Sequence, residues 1–269
     1  MNLCPIGVFD SGLGGLTAVK RLIELLPNED IVYLGDTGRV PYGSRSRETI
    51  IRYARQDAAF LISHGIKAMI VACNTVSSAA LDLIAPGAGV PTFGVVEPPS
   101  ERAAALTKNG RVGVIGTAAT VRSGAYERAI ARINPAIEVI SAACPLFVPL
   151  AESGRTDAED AAVIAIARDY LEPIIASGAD TLILGCTHYP LLRDAISSVL
   201  GEGVALVDSG ATTADYVAVR LREMGLLNGS DTPGERRYFV TDIIDGFETQ
   251  ASRFLEADVS GSVRQITLE

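Results

Sequence analysis

The sequence predicts an α/β fold with two pseudo-symmetric α/β lobes, mainly parallel sheets and an active site in the cleft between the lobes. Three observations support this prediction. Short apolar segments alternate with helix-like segments along the 269 residues, the pattern of parallel strands joined by crossover helices. The apolar segments are continuous, as expected for strands buried on both faces. The segment VFDSG (8–12) is echoed by LVDSG (206–210).

The alternation of strands and helices extends over the whole chain. The last predicted turn of the helix over 158–177 is expected to bend at Pro173. The predicted strands cover residues 6–9, 31–35, 68–72, 91–96, 111–117, 137–141, 181–185, 204–208, 236–241 and 262–266. The predicted helices cover residues 13–26, 47–63, 76–84, 101–109, 121–133, 158–177, a segment after Pro190, a segment before residue 236, and 245–255.

The echoed segment predicts two related lobes. We expect the first lobe to comprise residues 1–97 plus 208–269, and the second lobe to comprise residues 98–207. The chain is expected to cross between them in GVVEPPS, because Pro98 and Pro99 should end any regular element. After Asp208 the chain is expected to return to the first lobe.

The composition excludes several classes of function. The net charge of −9 and the pI of about 4.9 argue against nucleic acid or an anionic membrane as a partner. Four cysteines without zinc spacing, and only two histidines, predict no metal site. The N-terminus does not resemble a signal peptide, and no stretch reaches the ~18 apolar residues of a membrane helix. We therefore expect a cytoplasmic protein with reduced thiols and no membrane partner.

Two cysteines stand in near-matching settings. Cys73 and Cys186, 113 residues apart, each follow an apolar strand and precede a helix. Such positions lie at the carboxyl edge of a parallel sheet, where α/β folds place ligands. A helix N-terminus is expected to lower each thiol pKa from its usual ~8.5, which would let either thiol act as a base. Cys4 and Cys144 precede prolines and are interpreted as structural, the commoner role of a cysteine.

A glycine-rich turn follows the first predicted strand. Backbone N–H groups around Asp10, Ser11 and Gly12 could bind a carboxylate or a phosphate. The same residues also suit an ordinary turn with a helix cap. The glycine spacing differs from the dinucleotide-binding fingerprint, which disfavours a nucleotide cofactor.

Three further positions carry polar groups near predicted strand ends. The loop over 36–46 offers a hydroxyl at Tyr42 and an N–H at Gly43, although a solvated loop is an equally simple interpretation. His188 could share a proton with Cys186. Glu152 is expected in a solvated loop.

Four motifs, DSGLGG, PYGSRS, ACNT and GCTHYP, together resemble the glutamate racemase family, in family order over most of the chain. The resemblance implies racemisation of glutamate without a cofactor, in a homodimer, with D-glutamate supplied to peptidoglycan synthesis. It implies Cys73 and Cys186 as the two catalytic bases, assisted by Asp10, His188 and Glu152. The implied substrate contacts are Asp10, Ser11, Tyr42, Gly43, Asn74, Thr75, Thr117, Thr120, Thr187 and His188. The second proline of GVVEPPSE departs from the family pattern, which affects the expected hinge.

Three alternatives stay open at the level of sequence. The chain could be a racemase for aspartate or another small amino acid, since selectivity depends on pocket length. A two-lobed receptor for a small anion would use the same loops but would not need paired cysteines. A thiol-redox protein would need Cys73 and Cys186 within bridging distance. No lysine stands in a setting typical of a pyridoxal phosphate site.

Overall fold

Two parallel sheets organise the chain in a computed structural model that describes residues 2–259 and 261–268, with the side chains of 244 and 245 excepted. The strands are β1 Ile6–Asp10, β2 Ile31–Gly35, β3 Ala68–Val71, β4 Thr92–Gly94, β5 Arg111–Gly116, β6 Glu138–Ala143, β7 Thr181–Gly185, β8 Ala205–Asp208, β9 Arg236–Val240 and β10 Val263–Gln265. The α-helices are α1 Leu16–Leu25, α2 Arg47–Ser63, α3 Asn74–Ala79, α4 Leu81–Ile84, α5 Glu97–Leu106, α6 Ala118–Ser123, α7 Ala125–Ile133, α8 Phe147–Glu152, α9 Ala161–Ser177, α10 Arg193–Leu200, α11 Ser209–Glu223 and α12 Ile244–Leu255.

The first sheet has the strand order β10-β9-β2-β1-β3-β4, and the second has the order β6-β5-β7-β8. All recorded strand pairs are parallel. The α/β prediction with two parallel sheets is therefore confirmed. β9 pairs with β2, so the chain returns to the first sheet after β8, as expected. The lobe boundaries themselves stay a prediction.

Each sheet is packed on both faces. In β1, Ile6 and Val8 belong to one apolar cluster and Phe9 belongs to the cluster on the opposite face. The second sheet likewise separates two clusters, one that includes Leu182 and another that includes Ile183. Successive side chains of a strand point to opposite faces, which explains why the strand segments are apolar throughout.

The two prolines at the first crossing do not end a helix, contrary to our expectation. Pro98 and Pro99 lie in the first turn of α5, which begins at Glu97. First-turn N–H groups have no acceptor inside the helix, so a proline there loses no hydrogen bond. The first crossing therefore consists of the short link between β4 and α5.

Several helix boundaries also differ from the prediction. The helix predicted over 76–84 is broken at Ala80 into α3 and α4, and the one predicted over 121–133 is broken at Gly124, whose φ of 61° is left-handed. Glu152 is the last residue of α8 and does not lie in a loop. The helix α9 continues through Pro173 to Ser177. Within the described residues, no helix has both the length and the apolar character needed to cross a membrane.

Candidate active site

A narrow pocket lies where the carboxyl ends of β1, β3, β5 and β7 converge. Its volume is about 30 Å³, the share of a single water molecule in the liquid. Both Cys73 and Cys186 line it, and both are free thiols. The predicted site residues that line it are Ser11, Tyr42, Gly43, Cys73, Asn74, Thr75, Thr117, Cys186, Thr187 and His188. The other three predicted residues, Asp10, Thr120 and Glu152, do not line the pocket. Each is next to a residue that does: Asp10 precedes Ser11, Thr120 contacts Thr117 and Glu152 contacts His188.

Cys73 lies between β3 and the first turn of α3. Its thiol is 3.5 Å from the hydroxyl oxygen of Ser11. Burial is the main reason that the pKa of Cys73 is raised to about 12, and the charge of Asp10 raises it further. The Ser11 hydroxyl and the Val76 N–H oppose this effect. The expectation of a lowered pKa is therefore wrong at Cys73, because desolvation outweighs the short helix.

Asp10 ends β1 and is fully buried. The Gly12 N–H donates to its Oδ2 at 3.1 Å, while Oδ1 has no hydrogen-bond partner among the described residues. Burial raises the pKa of Asp10, against the charge of His188 and nearby backbone N–H groups. Asp10 is therefore an acceptor with one uncommitted oxygen, close enough to act electrostatically on both half-sites.

Cys186 follows β7 and is accompanied by a histidine and a glutamate. Its sulfur lies 3.9 Å from Nδ1 of His188, whose Nε2 lies 3.2 Å from Oε1 of Glu152. Burial alone would lower the pKa of His188. The contacts with Cys186 and Glu152, together with the charges of Cys186 and Asp10, outweigh burial and raise that pKa to about 10. His188 is therefore expected to be an imidazolium at neutral pH.

Three threonines join the two half-sites across the pocket. The Thr75 and Thr117 hydroxyls are 3.0 Å apart, and Thr117 is also 3.0 Å from the hydroxyl of Thr120. Thr117 caps α6 by accepting from the Thr120 N–H. Gly43 approaches Thr117 so closely that an added Cβ would lie 2.8 Å from its Cβ. The two sheets are thus linked through side chains that face the substrate space.

Gly14 has a role that the sequence analysis missed. A Cβ at this position would overlap the side chain of Thr187 and would lie 2.8 Å from Nδ1 of His188. Only glycine allows the turn after β1 to approach the Cys186 half-site this closely. The double glycine in DSGLGG was the available signal for this contact.

The Tyr42 hydroxyl forms hydrogen bonds with two buried carboxyl groups and not with groups of the pocket. It makes a short hydrogen bond with Asp36 and a 3.0 Å hydrogen bond with Asp57. Arg39 binds the same two carboxyls at 2.5 and 2.9 Å. The Tyr42 hydroxyl is therefore committed to these two carboxyls and is not the free donor to the pocket that was expected. Sequence reasoning missed Asp57, whose only signal is an acidic residue on the buried face of α2.

Asn74 also directs its side chain away from the substrate space. Its Nδ2 lies 2.8 Å from the Tyr126 hydroxyl and 3.1 Å from that of Ser209. Neither Tyr126 nor Ser209 was predicted from the sequence. No group of His, Cys, Asp and Glu side chains suited to a metal ion occurs in the part of the chain that the structure describes.

Comparison with known proteins agrees with the geometry. A sequence model of the Asp/Glu/hydantoin racemase family matches residues 7–217. A glutamate racemase from Geobacter metallireducens is 52% identical over 264 residues, which cover 98% of this chain and 97% of that protein. The chain belongs to the glutamate racemase family. The resemblance found in the four sequence motifs is thereby confirmed.

Solved structures support the same assignment. The glutamate racemase of Francisella tularensis, solved in complex with D-glutamate, has a TM-score of 0.93 and 40% identity, with 100% of this chain and 99% of that chain covered. The Escherichia coli glutamate racemase, solved with L-glutamate and the activator UDP-MurNAc-ala, has a TM-score of 0.78, 28% identity and 99% coverage of both chains. An aspartate racemase homologue from Pyrococcus horikoshii, at 19% identity and a TM-score of 0.55, shares the fold alone.

Proposed function

We propose that this protein interconverts L- and D-glutamate without a cofactor, with Cys73 and Cys186 as the two acid–base groups. The observation that most supports this proposal is that two buried, free thiols from different sheets line one pocket. Family membership supports glutamate as the substrate. A redox pair would need no pocket with carboxylate-binding groups, and a simple receptor would need no second thiol.

In the proposed reaction, the Cys73 thiolate removes the α-proton of D-glutamate. The C–H electron pair stays on the substrate as a carbanion, and an S–H bond forms at Cys73. The Cys186 thiol then gives its proton to the opposite face, which leaves L-glutamate and a Cys186 thiolate. The reverse sequence converts L- to D-glutamate, so each turnover leaves the enzyme ready for the other isomer.

The neighbours of the two thiols differ, and so do their proposed roles in the proton transfers. With a pKa of about 12, Cys73 is a thiol in the empty pocket at neutral pH. We propose that its proton passes toward the uncommitted Oδ1 of Asp10 as substrate binds. On the other side, the imidazolium of His188, supported by Glu152, is positioned to stabilise the negative charge that Cys186 carries after it has given up its proton.

Hydroxyl and N–H donors are proposed to hold the substrate carboxylates. The lining residues include four with hydroxyl groups, Ser11, Thr75, Thr117 and Thr187, together with Tyr42 and Gly43. Thr120 orients Thr117 from behind, and Asn74 contributes through its backbone. Such donors aimed at developing negative charge are worth about 3–4 kcal/mol each. Because small-molecule pockets usually start near ~300 Å³, we expect this pocket to widen when glutamate enters.

Three wider expectations accompany the proposed reaction. We propose that D-glutamate formed here supplies peptidoglycan synthesis, which predicts rescue of a bacterial D-glutamate auxotroph. The division into lobes of residues 1–97 plus 208–269 and 98–207 is supported by the two sheets, whose strands respect those limits except for Asp208, the last residue of β8. A homodimer stays a prediction, and sedimentation equilibrium should distinguish it from a 28.2 kDa monomer.

The decisive experiment is incubation with D-glutamate in D₂O, without added pyridoxal phosphate. We expect deuterium at the α-carbon together with L-glutamate, observed by proton NMR and chiral analysis. Cys73→Ala and Cys186→Ala should each lower turnover roughly 10²–10⁴-fold, the usual contribution of an acid–base group. Cys144→Ala is the matched control, because Cys144 is also buried and free but does not line the pocket.

Other results would redirect the proposal. Full activity in either single cysteine variant would exclude the two-base mechanism. Equal or faster turnover of aspartate would favour the aspartate alternative. Glutamate binding without any α-proton exchange would favour a receptor.

A further inference from the structure

A buried polar cluster lies directly behind Cys73. Its centre is the Asn74 side chain, whose Nδ2 lies 2.8 Å from the Tyr126 hydroxyl, 3.1 Å from that of Ser209 and 3.5 Å from the Val95 carbonyl. The Tyr126 hydroxyl in turn donates to the Val95 carbonyl at 2.8 Å. Both N–H groups of the amide therefore have protein acceptors. The side chain of Asn74 is committed to the protein framework.

The members of this cluster come from both passages between the sheets. Val95 lies in the link from β4 to α5, and Ser209 begins α11 after β8. Tyr126 comes from α7, which packs on the second sheet. The side chain of Asn74, next to Cys73, thus contacts both crossings between the sheets and a helix that packs on the second sheet.

The ring of Tyr126 reaches the other half-site. A Cβ at Gly185, the residue before Cys186, would lie 3.2 Å from Cε2 of Tyr126 and 2.7 Å from the Ile115 carbonyl. The ring therefore packs against the end of β7 where glycine leaves room for it. Tyr126 contacts the residue after one catalytic thiol and the residue before the other.

We propose that Tyr126 is a positioning residue that fixes the relative placement of the Cys73 and Cys186 thiols. This inference rests on the proposed racemisation, in which the two sulfurs face opposite sides of one carbon. Misplacement by about 1 Å can cost roughly 10²-fold in rate when reacting groups must be aligned. Tyr126 itself does not line the pocket, so it acts through its neighbours.

The test uses Tyr126→Phe, which keeps the ring and removes the hydroxyl. We expect kcat to fall at least tenfold, a barrier change of about 1.4 kcal/mol, while KM changes by less than about threefold. With D-glutamate in D₂O, we define the exchange-to-inversion ratio as the deuterium that enters recovered D-glutamate divided by the L-glutamate formed. This ratio should rise in the variant. Misaligned thiols lengthen the life of the carbanion, so that the Cys73 S–H exchanges with D₂O and returns deuterium to the original face before the opposite thiol can deliver a proton.

The matched control is Ser100→Ala. Ser100 is fully buried, and its hydroxyl donates to the carbonyl of Val96, which is not a member of the cluster, at 2.7 Å. It measures the effect of losing one buried hydroxyl near the same crossing. We expect its exchange-to-inversion ratio to equal that of the wild type.

The outcomes separate this inference from the proposed function. If the wild type does not racemise glutamate, the proposed function fails first. If the wild type is active and Tyr126→Phe keeps its kcat, the positioning role is wrong. A lower kcat with an unchanged exchange-to-inversion ratio would also overturn it, because lost folding alone produces that result. If Tyr126→Phe does not fold, Ser209→Ala removes another hydroxyl of the cluster and should raise the same ratio.

Discussion

Cys73 and Cys186 have chemically unlike neighbours although their sequence settings match. Cys73 faces a hydroxyl and a buried carboxyl, whereas Cys186 faces a histidine paired with a glutamate. The sequence motifs were sufficient to bring these residues to one pocket. They could not indicate that burial raises the pKa of Cys73, since desolvation depends on atoms contributed by distant segments.

His188 predicts a pH dependence of stability. Its folded pKa of about 10 lies above the ordinary 6.5, so the folded protein binds the extra proton between these values. The stabilisation is complete below pH 6.5 and is lost as pH rises toward 10. Glu152→Gln should weaken this dependence, because the carboxylate helps to raise the pKa. Urea unfolding from pH 6.5 to 10 should show a flatter decline than in the wild type.

The control for that measurement is Glu159→Gln, which alters an exposed glutamate close in sequence. It should keep the wild-type decline. A Glu152→Gln profile parallel to the wild type would contradict the assigned role of the carboxylate.

At the scale of elements, the segment over 36–46 is fixed from two sides. The helix α2 supplies Asp57 to the Tyr42 hydroxyl, and Thr241, just after β9, donates to Asp36 at 2.8 Å. The Gly38 N–H also donates to Thr241 at 2.9 Å. The part of this segment around Asp36 and Tyr42 is therefore held by the framework of the first sheet, whereas residues 44–46 are exposed, as in the solvated loop considered from the sequence.

Tyr42→Phe should destabilise the segment over 36–46. Losing the hydroxyl removes one of the two partners that the buried carboxyls of Asp36 and Asp57 share, the other being Arg39, which should cost about 1–3 kcal/mol of unfolding free energy. We also expect KM for glutamate to rise, because Tyr42 and Gly43 line the pocket. Tyr53→Phe is the control, since its ring lies 5.3 Å from that of Tyr42 but it lies outside the carboxyl pair. An unchanged KM in Tyr42→Phe would count against this coupling.

Strands were predicted more accurately than helices for a physical reason. A strand buried on both faces needs a continuous apolar run, which is visible in the sequence as in β7. The break at Gly124 instead depends on a left-handed backbone, and Pro98 and Pro99 suit a helix start as well as an end. Local sequence permits both outcomes, and packing decides between them.

At the scale of the whole molecule, the pocket exists only because two sheets turn their carboxyl edges toward each other. Cys73 follows β3 of the first sheet, and Cys186 follows β7 of the second. The alternation of strand-like and helix-like segments in the sequence was enough to predict the two sheets. The contacts that close the pocket, such as Gly14 with the Thr187 side chain, join segments far apart in sequence and left no periodic signal.

The pairing of β2 with β9 has a consequence for synthesis on the ribosome. Ile31 lies beside Arg236, so this edge of the first sheet cannot form until residue 236 has been synthesised. The second sheet needs only one continuous stretch, from β5 to β8. Because local contacts form sooner, nascent chains arrested once residue 208 has left the ribosome should already contain a protease-resistant fragment from 98–207. Equal resistance of both lobes at that stage would contradict this order. A cell would then make the Cys186 half-site first and complete the pocket that holds both thiols only when the last strands emerge.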